Sequence, residues 1–362
     1  MKAQPDGFFG TPKEGMVAEV FTLKDVDRRV YKESLQDFLP AQLIDIHTHV
    51  WNKDNQVQSA QPLSRVVSWP SKVADENTVE TLADCYRQLF PGKSVVPLMF
   101  ANVFDADRID PMNGYVSECA ARTGYPSLIL AHPSWTGREL EQRIMDGKFR
   151  GAKVYLNLSP AYIPEKEIRI FDYLPPHQLD VLNTNGWVVM LHIPRDGRLR
   201  DPVNLEQMIE IEKNWPRVKV IIAHVGRAYC DEDVGDAFQR LSVTKTTVFD
   251  FSANTNDRVF EGTLRAFGPE RCVFGSDMPI TRMRMQRTCE QGRYINIVPR
   301  GLYGDVSGDK NMREVDPPAA EQLTLFMYEE ILAIKKAVER VGLGRVDVEA
   351  IFHKNAQRVL GI

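Results

Sequence analysis

The chain has 362 residues, 43% of them hydrophobic and 26% charged, with 45 Lys and Arg against 49 Asp and Glu and a net charge of −4. These proportions are those of a globular protein and exclude disorder, collagen and coiled coil as whole-chain readings. The charge balance lacks the basic footprint of a nucleic-acid binder, and no polybasic run suits an anionic membrane surface.

The N-terminus, MKAQPDGFFGTPKEGM, has no apolar targeting stretch, and no apolar run in the chain is long enough to span a membrane. Five cysteines, at 85, 119, 230, 272 and 289, form no CxxC and are too scattered for a disulfide framework. Their odd number predicts free, mostly buried thiols in a reducing, cytoplasmic compartment. Residues 1–40 read as an N-terminal extension with a helix in DVDRRVYKESLQDFL.

From residue 43, apolar runs alternate with amphipathic stretches. The runs are LIDIHTH (43–49), SVVPLMFAN (94–102), SLILAH (127–132), GAKVYLNL (151–158), WVVMLHI (187–193), VKVIIAH (218–224), TVFDFSA (247–253) and RCVFGSDM (271–278). Apolar on both faces, they read as buried parallel strands. Markers from Val95 to Val273 are spaced by 25 to 34 residues, each step suiting one strand–helix unit. The segments 78–90, 137–147, 202–215 and 257–268 have helical spacing, two of them ending at Gly147 and Gly268. The alternation predicts an α/β fold, a (β/α)8 TIM barrel. A doubly wound sheet is the alternative, but no glycine-rich turn follows the first strand. Residues 50–76 and 279–318 read as long first and eighth loops over the C-terminal mouth. A helix at about 319–341 and a last one in DVEAIFHKNAQRVLGI close the chain. Lacking a linker-like stretch, residues 41–362 are expected to form one barrel domain.

Five of the seven histidines, His47, His49, His132, His192 and His224, fall at strand ends, and barrel active sites form at the C-terminal ends of strands. His47 and His49, two apart on one strand, project to the same side. His192 ends a run whose Val188 and Met190 share its side, and His224 one whose Val220 and Ile222 share its side. Asp277 closes the eighth strand, beside the first in a circular barrel. Four imidazoles and a carboxylate at one barrel face predict a site for a divalent metal. Asp45, on the side of His47, is expected to fix an imidazole tautomer. His132 could contact substrate or satisfy its own loop, and Trp51 could line the pocket or pack in the core. His177 and His353 are expected to be structural.

IDIHTHVW, the LHI of strand five, the AHVG of strand six, FGSDMP and the terminal KNAQRVLGI together resemble the amidohydrolase superfamily. More narrowly, they resemble its amidohydrolase-2 branch of metal-dependent TIM-barrel hydrolases and decarboxylases, over about residues 43–362. The resemblance implies that His47, His49, His192 and Asp277 hold one divalent metal, zinc before manganese. It implies that His224 orients or deprotonates a metal-activated water, with Asp277 able to shuttle the proton. Lys153 faces the barrel interior by alternation, with Tyr155 on the same side. In binuclear members of the superfamily such a lysine is carboxylated and bridges two metals; the branch resembled here implies one metal, with Lys153 a structural or substrate-contacting cation.

Arg195, Arg198, Arg200, Arg227, Arg282 and Arg284 crowd the predicted mouth, and arginine there suits a carboxylate. About half of them are expected to pair with protein carboxylates. Arg195 and Arg227, nearest the ligands, are the preferred substrate contacts, together with Tyr155 and Lys153. The expected activity is hydrolysis of a lactone, amide or ester of a small carboxylated compound. Non-oxidative decarboxylation of a small, aromatic or other, acid is the runner-up, ahead of an inactive metal-binding relative. The expected partner is a small anionic substrate, with neither nucleic acid nor membrane; a homo-oligomer is left open.

Overall fold

The computed structural model describes residues 22–56, 73–103 and 108–362. Most of the first loop and residues 1–21 of the N-terminal extension therefore lie outside the described residues.

All eight expected strands form: β1 (Gln42–His49), β2 (Ser94–Phe100), β3 (Ile129–Leu130), β4 (Gly151–Val154), β5 (Val188–Leu191), β6 (Lys219–Ile222), β7 (Val248–Asp250) and β8 (Cys272–Val273). β3 to β8 make a six-stranded parallel sheet in chain order, and β1 pairs with β2 in parallel. Backbone hydrogen bonds join the two groups on both sides. The Ile46 amide donates to Phe274 at 3.1 Å and the His49 amide to Met278 at 2.9 Å, while the Leu128 amide donates to Met99 at 2.9 Å. This mixed α/β architecture, with a helix following each strand, is consistent with a TIM barrel.

The helices form where the sequence supplies ends for them. Helix α1 (Asp25–Val30) of the extension runs on into a π-helical turn. Thr78 caps α2 (Val79–Leu89) by accepting from the Thr81 amide. α3 is Ile109–Thr123. Thr136 and Glu139 form a capping box on α4 (Gly137–Asp146). α5 is Pro176–Asn185. Asp201 caps α6 (Pro202–Asn214), whose first residue is a proline. After α7 (Ala237–Leu241), Asn256 caps α8 (Asp257–Phe267).

Alternation along the strands divides the core in two. Ala152, Val154, Val189, Leu191, Val220, Ile222 and Phe249 pack outward against the helices. Ile44, Ile46, Leu98, Phe100, Val188, Met190, Ile221 and Val248 fill the inside, where Ala356, Val359 and Leu360 of the last helix join them. That helix is fastened to the start of β8 by Asn355, which donates to the carbonyls of Pro269 and Cys272.

Three regions differ from the sequence reading. The eighth loop is not irregular throughout: β9 (Gln286–Glu290), β10 (Arg293–Pro299) and β11 (Met312–Val315) form a small sheet. Its hairpin turns on Gln291 and Gly292, both at positive φ, as a two-residue hairpin requires. The helix expected at 319–341 is interrupted and restarts as α9 (Phe326–Val341), because residues 323–325 run extended against the eighth loop. There the Met285 amide bonds Thr324 and the Phe326 amide bonds Met283. Finally, not all thiols are free. Cys230 and Cys289, 59 residues apart, are joined in a disulfide between the loop after β6 and β9, while Cys85, Cys119 and Cys272 are free and buried. Sequence spacing could not show this pairing, because tertiary folding brings the two together.

No helix among the described residues is long and apolar enough to cross a membrane.

Candidate metal centre

The site begins on β1. His47 and His49 point the same way, their ring centroids 5.5 Å apart. Both converge on Asp277, whose Oδ1 lies 3.0 Å from His49 Nε2 and 3.4 Å from His47 Nε2. β8 reaches β1 closely enough for this through Gly275: a Cβ there would fall 2.9 Å from the His47 Cβ. Asp277 itself takes a left-handed backbone, φ 62°, uncommon away from glycine and retained where the surroundings enforce it.

β4 contributes Lys153, fully buried, whose Nζ donates to His47 Nε2 at 3.2 Å. Tyr155, just beyond β4, sets its hydroxyl 3.2 Å from His49 Nδ1. The inward direction expected for Lys153 from alternation is the one observed. From β5 comes His192, its ring 5.2 Å from that of His224. His192 lies outside the close groups of ligand atoms, which among the described residues are His47, His49 and Asp277, and His47, His224 and Asp250.

His224 reaches the site by a different route from the one its sequence suggested. Val220 and Ile222, which simple alternation places on its side, face the helices instead. β6 ends at Ile222, and the backbone then turns through φ 109° at His224, 59° at Gly226 and 61° at Arg227. This irregular turn swings the imidazole inward, its ring 4.5 Å from that of His47. His224 Nδ1 rests 2.7 Å from Ser252 Oγ.

Asp250 and Ser252, at and just beyond the end of β7, were absent from the sequence expectation. Asp250 Oδ2 accepts from His47 Nδ1 at 2.8 Å, and the Ser252 hydroxyl donates to Asp250 Oδ1 at 2.5 Å. A signal existed: alternation puts both on the face of Val248, which is interior, and a lone carboxylate in an apolar strand needs a partner. Asp45, expected to hold an imidazole, instead holds backbone. Its carboxylate accepts from the amides of His47 and Ser276 and from the Tyr86 hydroxyl at 2.6 Å.

Burial controls the electrostatics. It pushes the pKa values of His47, His192 and His224 down, with the Lys153 charge adding to the effect on His47. The three rings are thereby kept neutral, the form that ligates a metal. Burial lowers Lys153 to about 8 and raises Asp45 to about 7. Burial also tends to raise Asp277, but the hydrogen bond from His49 and the neighbouring imidazoles hold it well below the ordinary carboxylate range. Asp277 is thus an anion facing two imidazole nitrogens, a donor set that suits zinc. His192 Nδ1 is buried without a hydrogen-bond partner, an orphaned lone pair or N–H at the edge of the same group. These residues fit a divalent ion.

The arginines mostly have protein partners. Arg195 pairs with Asp201 at 3.2 Å, Arg198 with Asp233 at 2.6 Å, and Arg284 with the buried Asp27 at 2.6 Å. Arg200 donates to the Glu232 carbonyl. Arg282 is buried against Asn77, its Nε and Nη1 without partners. Arg227 donates through Nη1 to the carbonyls of Ile193, Pro194 and Arg195, bracing the loop after His192. His132 satisfies its own loop by bonding Ser134, and His177 bonds the Trp135 carbonyl. Trp51 is buried, its indole donating to the Asp75 carbonyl.

A parallel α/β sheet carrying imidazoles and a carboxylate at its C-terminal edge defines a metal-capable class of fold. The family model for amidohydrolases, Amidohydro_2, matches residues 44–296, and the chain belongs to the amidohydrolase superfamily in this amidohydrolase-2 branch. No curated protein matches the chain. Among solved structures, it resembles one from Acinetobacter baumannii described as a probable 2-pyrone-4,6-dicarboxylic acid hydrolase with citric acid bound (14% identity, 88% of this chain and 99% of that one, TM-score 0.54). A Burkholderia multivorans amidohydrolase with bound zinc is similar at 13% identity, over 89% of this chain and all of the other, with TM-score 0.53. So is a dihydroxybenzoic acid decarboxylase from Polaromonas sp. JS666 with bound manganese and 2-nitroresorcinol (14%, 89% and 97%, TM-score 0.51). At these identities the likeness is one of fold.

Proposed function

We propose that the protein is a metal-dependent hydrolase acting on a lactone, amide or ester of a small carboxylated compound. Residues 41–362 are taken as one catalytic barrel and 1–40 as its extension. The observation that carries this reading is the placement of His224. A neutral, buried imidazole stands beside the group formed by His47, His49 and Asp277, with one nitrogen anchored on Ser252. His47, His49, His192 and Asp277 would hold one divalent ion, zinc or else manganese. Bound there, such an ion supplies Lewis acidity and lowers the pKa of water to about 7.

The chain's own groups have separable tasks. His224 accepts a proton at Nε2, the nitrogen turned away from Ser252, as general base. Tyr155 orients the His49 ring through Nδ1. Lys153, a buried cation beside His47, and Arg227 favour an anionic substrate. Arg195, engaged with Asp201, is assigned the lesser part.

Hydrolysis and decarboxylation are separated by their products. A panel of sugar lactones, aryl esters and hydroxylated aromatic acids is to be followed by proton release and by carbon dioxide evolution. Proton release from a lactone or ester without carbon dioxide is the expected result. Turnover of aromatic acids alone, with carbon dioxide, would replace the hydrolase by a decarboxylase.

A further inference from the structure

We infer that Asp250 and Ser252, on the inner face at the end of β7, are positioning residues that fix the tautomers of His47 and His224, so that each ring presents an unprotonated Nε2 to the site. The inference rests on the metal centre proposed above.

The assignment follows from which atoms can donate. Ser252 has one hydroxyl proton, and it goes to Asp250 Oδ1 at 2.5 Å. Its Oγ is therefore an acceptor towards His224 Nδ1 at 2.7 Å, and that nitrogen must carry hydrogen. The Ser252 carbonyl, which can only accept, lies 3.2 Å from the same Nδ1 and requires the same tautomer. On His47, Nδ1 faces the Asp250 carboxylate at 2.8 Å, while Nε2 receives a hydrogen bond from Lys153 Nζ at 3.2 Å. Acceptor on one side and donor on the other leave His47 a single tautomer.

His47, His224 and Asp250 are near enough to suggest a second ion site. The Ser252 hydroxyl lies among them instead, within 3.2 Å of a ligating atom of each. The group is satisfied as a hydrogen-bond hub, with Asp250 and Ser252 both fully buried. The hub thus couples a proposed ligand and the proposed base through two side chains that contact the rings on their Nδ1 sides. The positive φ of His224, 109°, is what brings its Nδ1 onto this hub.

Nitrogen-15 NMR of histidine-labelled, metal-free protein reads the tautomers, and competition with a chromophoric chelator reads zinc affinity. The Nδ1–H form is expected for both rings. Asp250→Asn is expected to weaken zinc by about 10- to 100-fold, the usual effect of losing a ligand's hydrogen-bond partner. Ser252→Ala leaves only the residue-252 carbonyl to hold His224 Nδ1–H, so part of the His224 population should pass to the Nε2–H tautomer, with a smaller loss of zinc affinity than in Asp250→Asn; Ser252→Thr, which keeps the hydroxyl, should restore the tautomer. Nε2–H forms in the wild type, or a folded Asp250→Asn that binds zinc like the wild type, would overturn the inference. Should Asp250→Asn not fold, the wild-type tautomers and the two Ser252 variants decide. Tautomers as assigned in a protein that takes up no zinc would overturn the proposed function and leave the hub standing.

Discussion

At the scale of single residues, the proposed chemistry turns on His224 acting as a base outside the metal's coordination shell. His224→Asn should retain the metal and lose about 10²–10⁴ in turnover, the range for general acid–base groups. Loss of metal together with activity, read by elemental analysis, would place His224 among the ligands. Much of this site was legible in the sequence because the C-terminal ends of parallel strands share one edge, so His47, His49, His224 and Asp277 could be grouped from their positions alone. Two physical features hid the rest. The inward turn of His224 depends on a left-handed backbone that no alternation rule describes. Asp250 stands in a strand whose apolar neighbours dominate its pattern. Arginines, in turn, are long enough to find partners that sequence proximity does not name, as with Arg284 and Asp27.

At the scale of elements, apolar runs specified all eight parallel strands, whereas the eighth-loop sheet carries no such signal. Its β9 reads Gln-Arg-Thr-Cys-Glu and is largely exposed, so it lacks the periodic hydrophobicity that marks a half-buried strand. The disulfide from Cys289 of this strand to Cys230 encloses a loop of 59 residues. The chain-entropy account puts the cost of Cys289→Ser at about 4 kcal/mol of stability, measurable by denaturant unfolding. Equal midpoints for variant and wild type would show that the link contributes nothing. α9 makes a separate prediction. Its Glu330 is fully buried with neither carboxyl oxygen hydrogen-bonded, and burial raises its pKa well above the ordinary value. The folded state then keeps a proton that the unfolded chain releases above about pH 4.3, so this group's stabilisation is lost as pH rises towards the folded pKa. Glu330→Gln should therefore gain on the wild type by up to ~1.4 kcal/mol per pH unit above that point. A stability difference independent of pH would mean that Glu330 ionises normally in the fold.

At the scale of the whole molecule, the strands are braced from both ends. The last helix fills the interior beneath them with Ala356, Val359 and Leu360. Above, the buried Asp27–Arg284 pair ties the N-terminal extension to the eighth loop, beside Thr324 and the carbonyl of Leu323. Between these ends, hydrogen bonds from β1 to the residues after β8 set His47, His49 and Asp277 together. Whether this convergence holds a metal is read most directly by elemental analysis of the purified protein. About one equivalent of zinc or manganese per chain is predicted, the number suited to three imidazoles and one carboxylate, with the metal lost in Asp277→Ala. A wild-type protein free of divalent metal, or an Asp277→Ala variant that keeps its full equivalent, would contradict the account.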